Sequence, residues 1–425
     1  MLSTLRNAWK IPDLRKRMLY TLMMMVVFRL GSTIPVPGIN AKVLAQLFQQ
    51  GENGIFGLFN LFSGGAFGKF TIFALSITPY ITSSIIMQLL TIAIPSLEAL
   101  AREGEEGRKK IAQYTRYGTV VLALIQATGV SVGLFNQALI AKDFWSVSLV
   151  VLTLTAGTAF LMWLGEQITE NGIGNGISLI IFAGIISRLP LGVAQTIEKL
   201  KVGEVSIISL VVFAVIAILV IAGVVAIQQG TRKIPVQYAK RVVGRKMYGG
   251  HSTHIPLKVN QAGVIPVIFA ISLLQFPLTL TYFFQGGTFS NIVQKYLSPT
   301  GNPGIWIYSI LYMILVICFT FFYTAVTFNP VEVADNMKKN GGFIPGIRPG
   351  KPTSEYLGKV SNRLSLAGAV FLALIAVMPT IVLQFTSLQF RFGGTSLLIA
   401  VGVALETMKQ VEAQMMMRHY QGFLK

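Results

Sequence analysis

Charge is scarce in this sequence. Only 12% of its 425 residues are Asp, Glu, Lys or Arg, where a water-soluble globular chain carries about 25%. Hydrophobic residues make up 53%, and the mean hydropathy is +0.65. That leaves too little polar surface to coat a soluble core, so the chain reads as a polytopic membrane protein. Cysteine is nearly missing: Cys318 stands alone, which excludes an intramolecular disulfide framework and a cysteine-built metal centre. His251 and His254 flank Ser-Thr in a basic loop, without the carboxylate or thiol neighbours of a zinc site. Acid is the scarcer sign of charge, 16 residues against 35 basic ones, for a net charge of +19.

The signatures of catalysis are lacking too. "NGIGNGIS" (Asn171 to Ser178) has the wrong glycine spacing for a dinucleotide turn and reads as a tight turn opening a helix. "GEEGRKK" (Gly104 to Lys110) lacks the Gly-Lys-Ser/Thr ending of a phosphate loop. No nucleophile–base constellation is visible. The expectation is a non-enzyme with no catalytic residue, metal or cofactor.

What is present is a series of apolar runs of membrane length, about 20 residues each. Ten are expected, at 18–37, 70–94, 117–136, 146–165, 176–193, 205–228, 263–284, 305–327, 364–386 and 395–413. The basic N-terminus leads into the first run without a small-residue cleavage pattern, so that run is read as a retained span. With ten spans both termini lie on one side. That side carries 26 Lys and Arg residues, and the opposite loops carry eight. The excess places both termini in the cytoplasm. Part of this charge serves topology and attraction to anionic lipids. The loops at 229–262 and 328–363, however, are longer than connectors need to be and rich in Tyr, Pro and Gly. They suggest a structured platform for a large anionic partner, ribosomal RNA or an acidic protein.

"TPYITSSIIMQLL" (Thr78 to Leu90) aligns with "IPVIFAISLLQFP" (Ile265 to Pro277) at an offset of 187 residues. Five spans separate the two runs, so the halves are inverted relative to each other, with a pathway expected at their interface. The expected division is 1–195 for the first half, 196–204 for an external hinge and 205–425 for the second half. Ionisable groups in the spans are few, chiefly Arg29 and Glu406. Isoleucines recur instead at helical spacing: Ile77 and Ile81, Ile181 and Ile185, then Ile268 and Ile399. Such residues ordinarily face lipid or pack, but a ring of them also gates a pore by dewetting and deforms around any chain. Ser83, Ser84, Gln88, Thr91, Gln126 and Gln275 are interhelical glue or a seam that parts. Inverted repeats fit a channel or a small-solute transporter. Sparse charge in the spans and large basic loops favour the channel.

Several ordered motifs then converge. "FNLFSGGAFGKFTIFALSITPYITSSIIMQLL", "EGEEGRKKIAQYTRYGT", "GEQITENGIGNGISLIIFAGI", "STHIPLKVNQAGVIPVIFA", "GGFIPGIRPGKPT" and "FGGTSLLIAVGVALET" resemble the SecY/Sec61 alpha family of protein-conducting channel subunits over nearly the whole chain. The resemblance implies an all-α fold of ten spans in two inverted five-helix halves, a clamshell around a central pore. It implies a passive pore in the bacterial plasma membrane that passes unfolded secretory chains and releases membrane spans sideways. The six isoleucines would form the pore ring. A lateral gate would be built on spans 2, 3, 7 and 8, with Ser84, Gln88, Thr91, Gln126, Gln275 and Phe276 as its candidates.

The glycine-rich apolar stretch at 54–68 would be the plug, including Phe59, Asn60, Leu61, Phe62, Ser63, Gly64 and Gly65. Arg241, Arg245, Lys246 and Arg348 would dock the SecA motor ATPase or the ribosome. Lys246 stands where the family often has arginine and keeps charge without the bidentate fork. The implied partners are the small membrane subunits SecE and SecG, SecA, the ribosome, signal peptides with their nascent chains, and anionic lipids.

Overall fold

A helix forms within each of the ten apolar segments in the computed structural model, which describes residues 2–40, 42–44, 46, 60, 63–203, 206–238, 241–243, 246–248, 252–281, 287–297, 303–385 and 394–422. In chain order, spans 1 to 5 are Pro12–Gly31, Thr78–Ala93, Glu105–Thr128, Phe144–Asn171 and Gly176–Val202. Spans 6 to 10 are Ile207–Gln229, Ile265–Leu280, Gly304–Thr327, Lys351–Phe385 and Gly394–Gly422. Proline in the first turn starts spans 1, 2 and 7; its fixed φ suits that position, and its missing N–H is no loss there.

Spans 2 and 7 are the short ones. Each has 16 residues, about 24 Å of helix against roughly 30 Å of hydrocarbon. Their bounds differ by the same offset of 187 that relates the sequence motifs, so the repeat is one of structure. The molecule is a mainly helical membrane fold of two inverted five-helix halves about a central path.

The structure corrects several expected boundaries. Residues 70–77 were expected to be helical in span 2, but they form turns. Val36 N–H donates to the Phe70 carbonyl and Ile72 N–H to the Ile34 carbonyl, both at 3.0 Å. This antiparallel bridge, Pro35 opposite Thr71, ties the stretch to the segment that follows span 1, and Phe70 and Ser76 take the left-handed conformation, with φ of 44° and 54°. A right-handed helix cannot contain such residues. After Ala93 the chain bends by 100° into a short helix, Pro95–Arg102. Ile94, held extended before Pro95, makes the corner.

Span 3 starts twelve residues before its apolar run and ends in a π-helical turn, Gly129–Leu134. Span 5 continues through 196–202, expected as connection, because Glu198, Lys199, Leu200 and Lys201 are good helix formers. Gly203, at φ +79°, follows its end.

The two long basic loops meet in a sheet. β1 (Thr231–Tyr238) pairs antiparallel with β4 (Ser252–Lys258) and, at Gln237 and Tyr238, with β5 (Gly342–Phe343). Ile234 and Val236 alternate inward onto Leu257, Met337, Ile344 and Leu357. The helix Pro330–Lys339 caps this platform. Its Asn329 side chain accepts from the N–H groups of Val331 and Glu332, and Lys338 and Lys339 face its negative end. Within the first loop, β2 (Arg241–Val243) and β3 (Lys246–Tyr248) form a hairpin.

Candidate pore, plug and gate

The beginnings of the two short helices meet span 5 around one small cavity. Its walls are Ser76, Ile77, Thr78 and Ile81 from the entry to span 2, Ile181 from span 5, and Ile268, Ile271, Ser272 and Gln275 from span 7. Four of the six sequence-selected isoleucines therefore line one space. Ile185 and Ile399 do not line it, but they are buried in the same apolar cluster. Sequence reasoning missed Ser76, Thr78, Ile271 and Ser272. The signal for the last two was available, since they lie three and four residues after Ile268, on the same helical face.

Spans 2 and 7 touch directly, and span 7 also meets the π-turn that ends span 3. Their contact forms a seam between the two halves. Ser83 donates to the Thr115 carbonyl at 2.8 Å and ties span 2 to span 3 within its own half. Along the candidate gate, Ser84 accepts from Gln88 at 3.4 Å, and Thr91 bonds its own helix at the Met87 carbonyl. Gln126 and Gln275 are buried, whereas Phe276 is 37% exposed. The Gln275 side-chain N–H2 has no hydrogen-bond partner among the described residues. A buried amide left unpaired costs about 1–3 kcal/mol, so the seam holds a polar group that gains by meeting water or another chain.

Of the expected plug residues, Asn60, Ser63, Gly64 and Gly65 are described; Phe59, Leu61 and Phe62 lie outside the described residues. Asn60 organises this turn. Its carbonyl accepts from Gly65 N–H at 2.9 Å and its side chain from Gly68 N–H at 2.8 Å. Ser63, fully buried, accepts from Phe67 N–H at 2.9 Å. Gly64, at φ +64°, lies so close to span 5 that a Cβ would stand 2.8 Å from the Gly184 Cα. Gly184 precedes Ile185, so the turn packs beside the isoleucine cluster, to which Ala66 also belongs.

On the basic side, Arg241 and Lys246 sit on the β2–β3 hairpin, while Arg245 lies outside the described residues. Arg348 is exposed in the turn after β5, and its carbonyl accepts from the Thr353 hydroxyl at 2.8 Å. Because β5 pairs with β1, backbone hydrogen bonds join the two loops that carry these residues.

A family model described as SecY matches residues 71–408. The chain is 50% identical to protein translocase subunit SecY of Halalkalibacterium halodurans over 436 residues, covering 100% of both chains. It is 49% identical to protein translocase subunit SecY of Escherichia coli K12 over 423 residues, covering 98% of this chain and 95% of that one. Among solved structures, a protein-conducting channel matches with a TM-score of 0.66 at 22% identity, covering 94% of this chain and 92% of that one. A SecY structure described by its plug domain's role in the closed state and the membrane seal matches at 0.65 and 21%, with the same coverage. Canine Sec61 in a ribosome–channel complex matches at 0.62 and 20%, again with 94% and 92% covered. These structural likenesses are likenesses of fold.

Proposed function

The chain belongs to the SecY family, and on that premise we propose that it is the channel subunit of a protein translocase, a passive pore and not an enzyme. The observation that carries this reading is the cavity lined by Ile77, Ile81, Ile181 and Ile268, set where two short inverted helices begin. An aliphatic ring offers no fixed charge to hold ions, and it dewets when empty. Its dispersion contacts are non-directional, so it tolerates any passing side chain. Ile185 and Ile399 complete the ring when the cavity widens. The turn at 63–68 belongs to the stretch 54–68, the plug that closes one mouth.

Spans 2 and 7 are the two leaves of the lateral gate. Their contact is the path by which a signal peptide or a membrane span leaves the pore for lipid, and Gln275 loses its unpaired state when the seam opens. The basic face is cytoplasmic, with both termini on it, in the bacterial plasma membrane. Its sheet-bound loops, through Arg241, Arg245, Lys246 and Arg348, dock the SecA motor or the ribosome, with SecE and SecG as membrane partners. The description of canine Sec61 as part of a ribosome–channel complex supports the ribosome among these.

The reading is tested by following the seam. Nitroxide labels replace Ile86 on span 2 and Leu273 on span 7, both exposed. Binding of a signal peptide widens their measured distance distribution by several ångströms. A distribution that stays unchanged while precursor is being exported contradicts a gate between these helices.

A further inference from the structure

Arg29 is the basic residue in the last turn of span 1. Its Nη1 donates to the Gly64 carbonyl and to the Ser187 hydroxyl oxygen, each at 3.2 Å. The Ser187 hydroxyl itself donates to the Gly184 carbonyl at 2.8 Å, which turns its lone pairs towards the guanidinium. Three elements meet here: the end of span 1, the turn at 63–68, and span 5 at Ser187, two residues after Ile185. No carboxylate forms a salt bridge with Arg29 among the described residues.

Arg29 is itself exposed, and a charge at the end of a membrane helix is kept only where it has partners or water. Its partners here are a backbone oxygen of the buried turn and the hydroxyl that faces it. Apolar packing of the turn has no preferred direction. A charge-assisted hydrogen bond does, and water replaces it readily once the turn lifts away. A long cation fixed to span 1 and reaching the turn that closes the pore is therefore placed to hold that turn reversibly.

We propose that Arg29 is the clasp of the plug: its guanidinium holds the Gly64 carbonyl against span 5 while the channel is idle, and releases it when the plug leaves. The clasp rests on the reading of residues 54–68 as the plug. Ser187 is its anchor, presenting an acceptor at the height of Gly184. Arg29 acts through the plug, so it is a positioning residue and does not line the path of a translocating chain.

The test is resting ion conductance of the intact translocase complex in planar bilayers, without precursor. The variants are Arg29→Gln, Arg29→Lys, Ser187→Ala, deletion of residues 57–66, and the deletion combined with Arg29→Gln. Loss of these two hydrogen bonds, made by an exposed charged side chain, is expected to raise the leak of Arg29→Gln about 2- to 10-fold. Ser187→Ala leaks less, and Arg29→Lys restores part of the seal. The double variant leaks no more than the deletion alone, because the clasp has nothing left to hold.

A tight Arg29→Gln channel beside a leaky deletion overturns the clasp and leaves the plug reading standing. A tight deletion overturns the plug reading and the clasp with it. A double variant leakier than the deletion alone also overturns the clasp, since Arg29 would then be supporting the channel wall. Should Arg29→Gln fail to assemble, Ser187→Ala decides: a raised leak supports the clasp, and a tight channel overturns it.

Discussion

Span 2 begins two residues after Ser76, at φ +54°, and span 7 begins two residues after Gly263, at φ +64°. The two positions differ by 187, like the helices that follow them. Each helix is entered through a left-handed residue and then a first-turn proline, Pro79 or Pro266. What differs is the surroundings. The entry to span 2 is walled in: Ile72 lies against span 4 at Gly157, and residues 70–72 are bridged to the segment that follows span 1. Around Gly263 a Cβ would meet nothing within 4 Å. Packing can hold Ser76 in a conformation its side chain disfavours, whereas at the open entry glycine takes the same conformation without strain. One leaf of the seam thus starts from a base pressed against its neighbours, and the other from a turn with room for a side chain, closed by the Asn260 amide donating to the Gly263 carbonyl at 2.9 Å.

Breaking the packed base is expected to cost most. A side chain at Gly157 runs into the Ile72 carbonyl, a backbone atom that cannot step aside. Gly157→Val should destabilise the protein by at least about 3 kcal/mol, read as a lowered thermal midpoint in detergent. The open entry should respond less. Gly263→Ala meets no atom, so only the left-handed backbone is penalised, by about 1–2 kcal/mol. Ser76→Ala should add no such strain, because Ser76 already carries a Cβ. Equal losses at the two positions would show that the entries are not held differently.

The smallest effect is expected far from both. Arg116 donates to Glu166 at 2.8 Å on the basic side of the first half, with 46% of its side chain exposed. A pair this exposed is screened by salt. Arg116→Gln should cost less than about 1 kcal/mol, and less still in high salt.

Most of the helical frame was legible in the sequence because membrane spans announce themselves by length and apolarity. The repeat was legible through Pro79 and Pro266. The non-helical entry to span 2 was not, since residues 70–77 are as apolar as a helix, and what unwinds them is a tertiary bridge to residues 34–36. The sheet joining the two basic loops was also hidden: β1 and β5 lie about a hundred residues apart, and β5 has only two residues. Arg29 read as a charge near a span end, because its partners, Gly64 and Ser187, are 35 and 158 residues away. The isoleucine positions were legible as spacing, but that four of them share a cavity depends on how spans 2, 5 and 7 pack.

The central claim is that a translocating chain passes between the two leaves, through the isoleucine ring. Ile81→Cys and Ile268→Cys place one thiol on each leaf, both at the wall of the cavity. A secretory precursor stalled midway through the membrane, with thiol-reactive groups along its length, should crosslink to both. A precursor demonstrably in transit that crosslinks to neither would contradict the account.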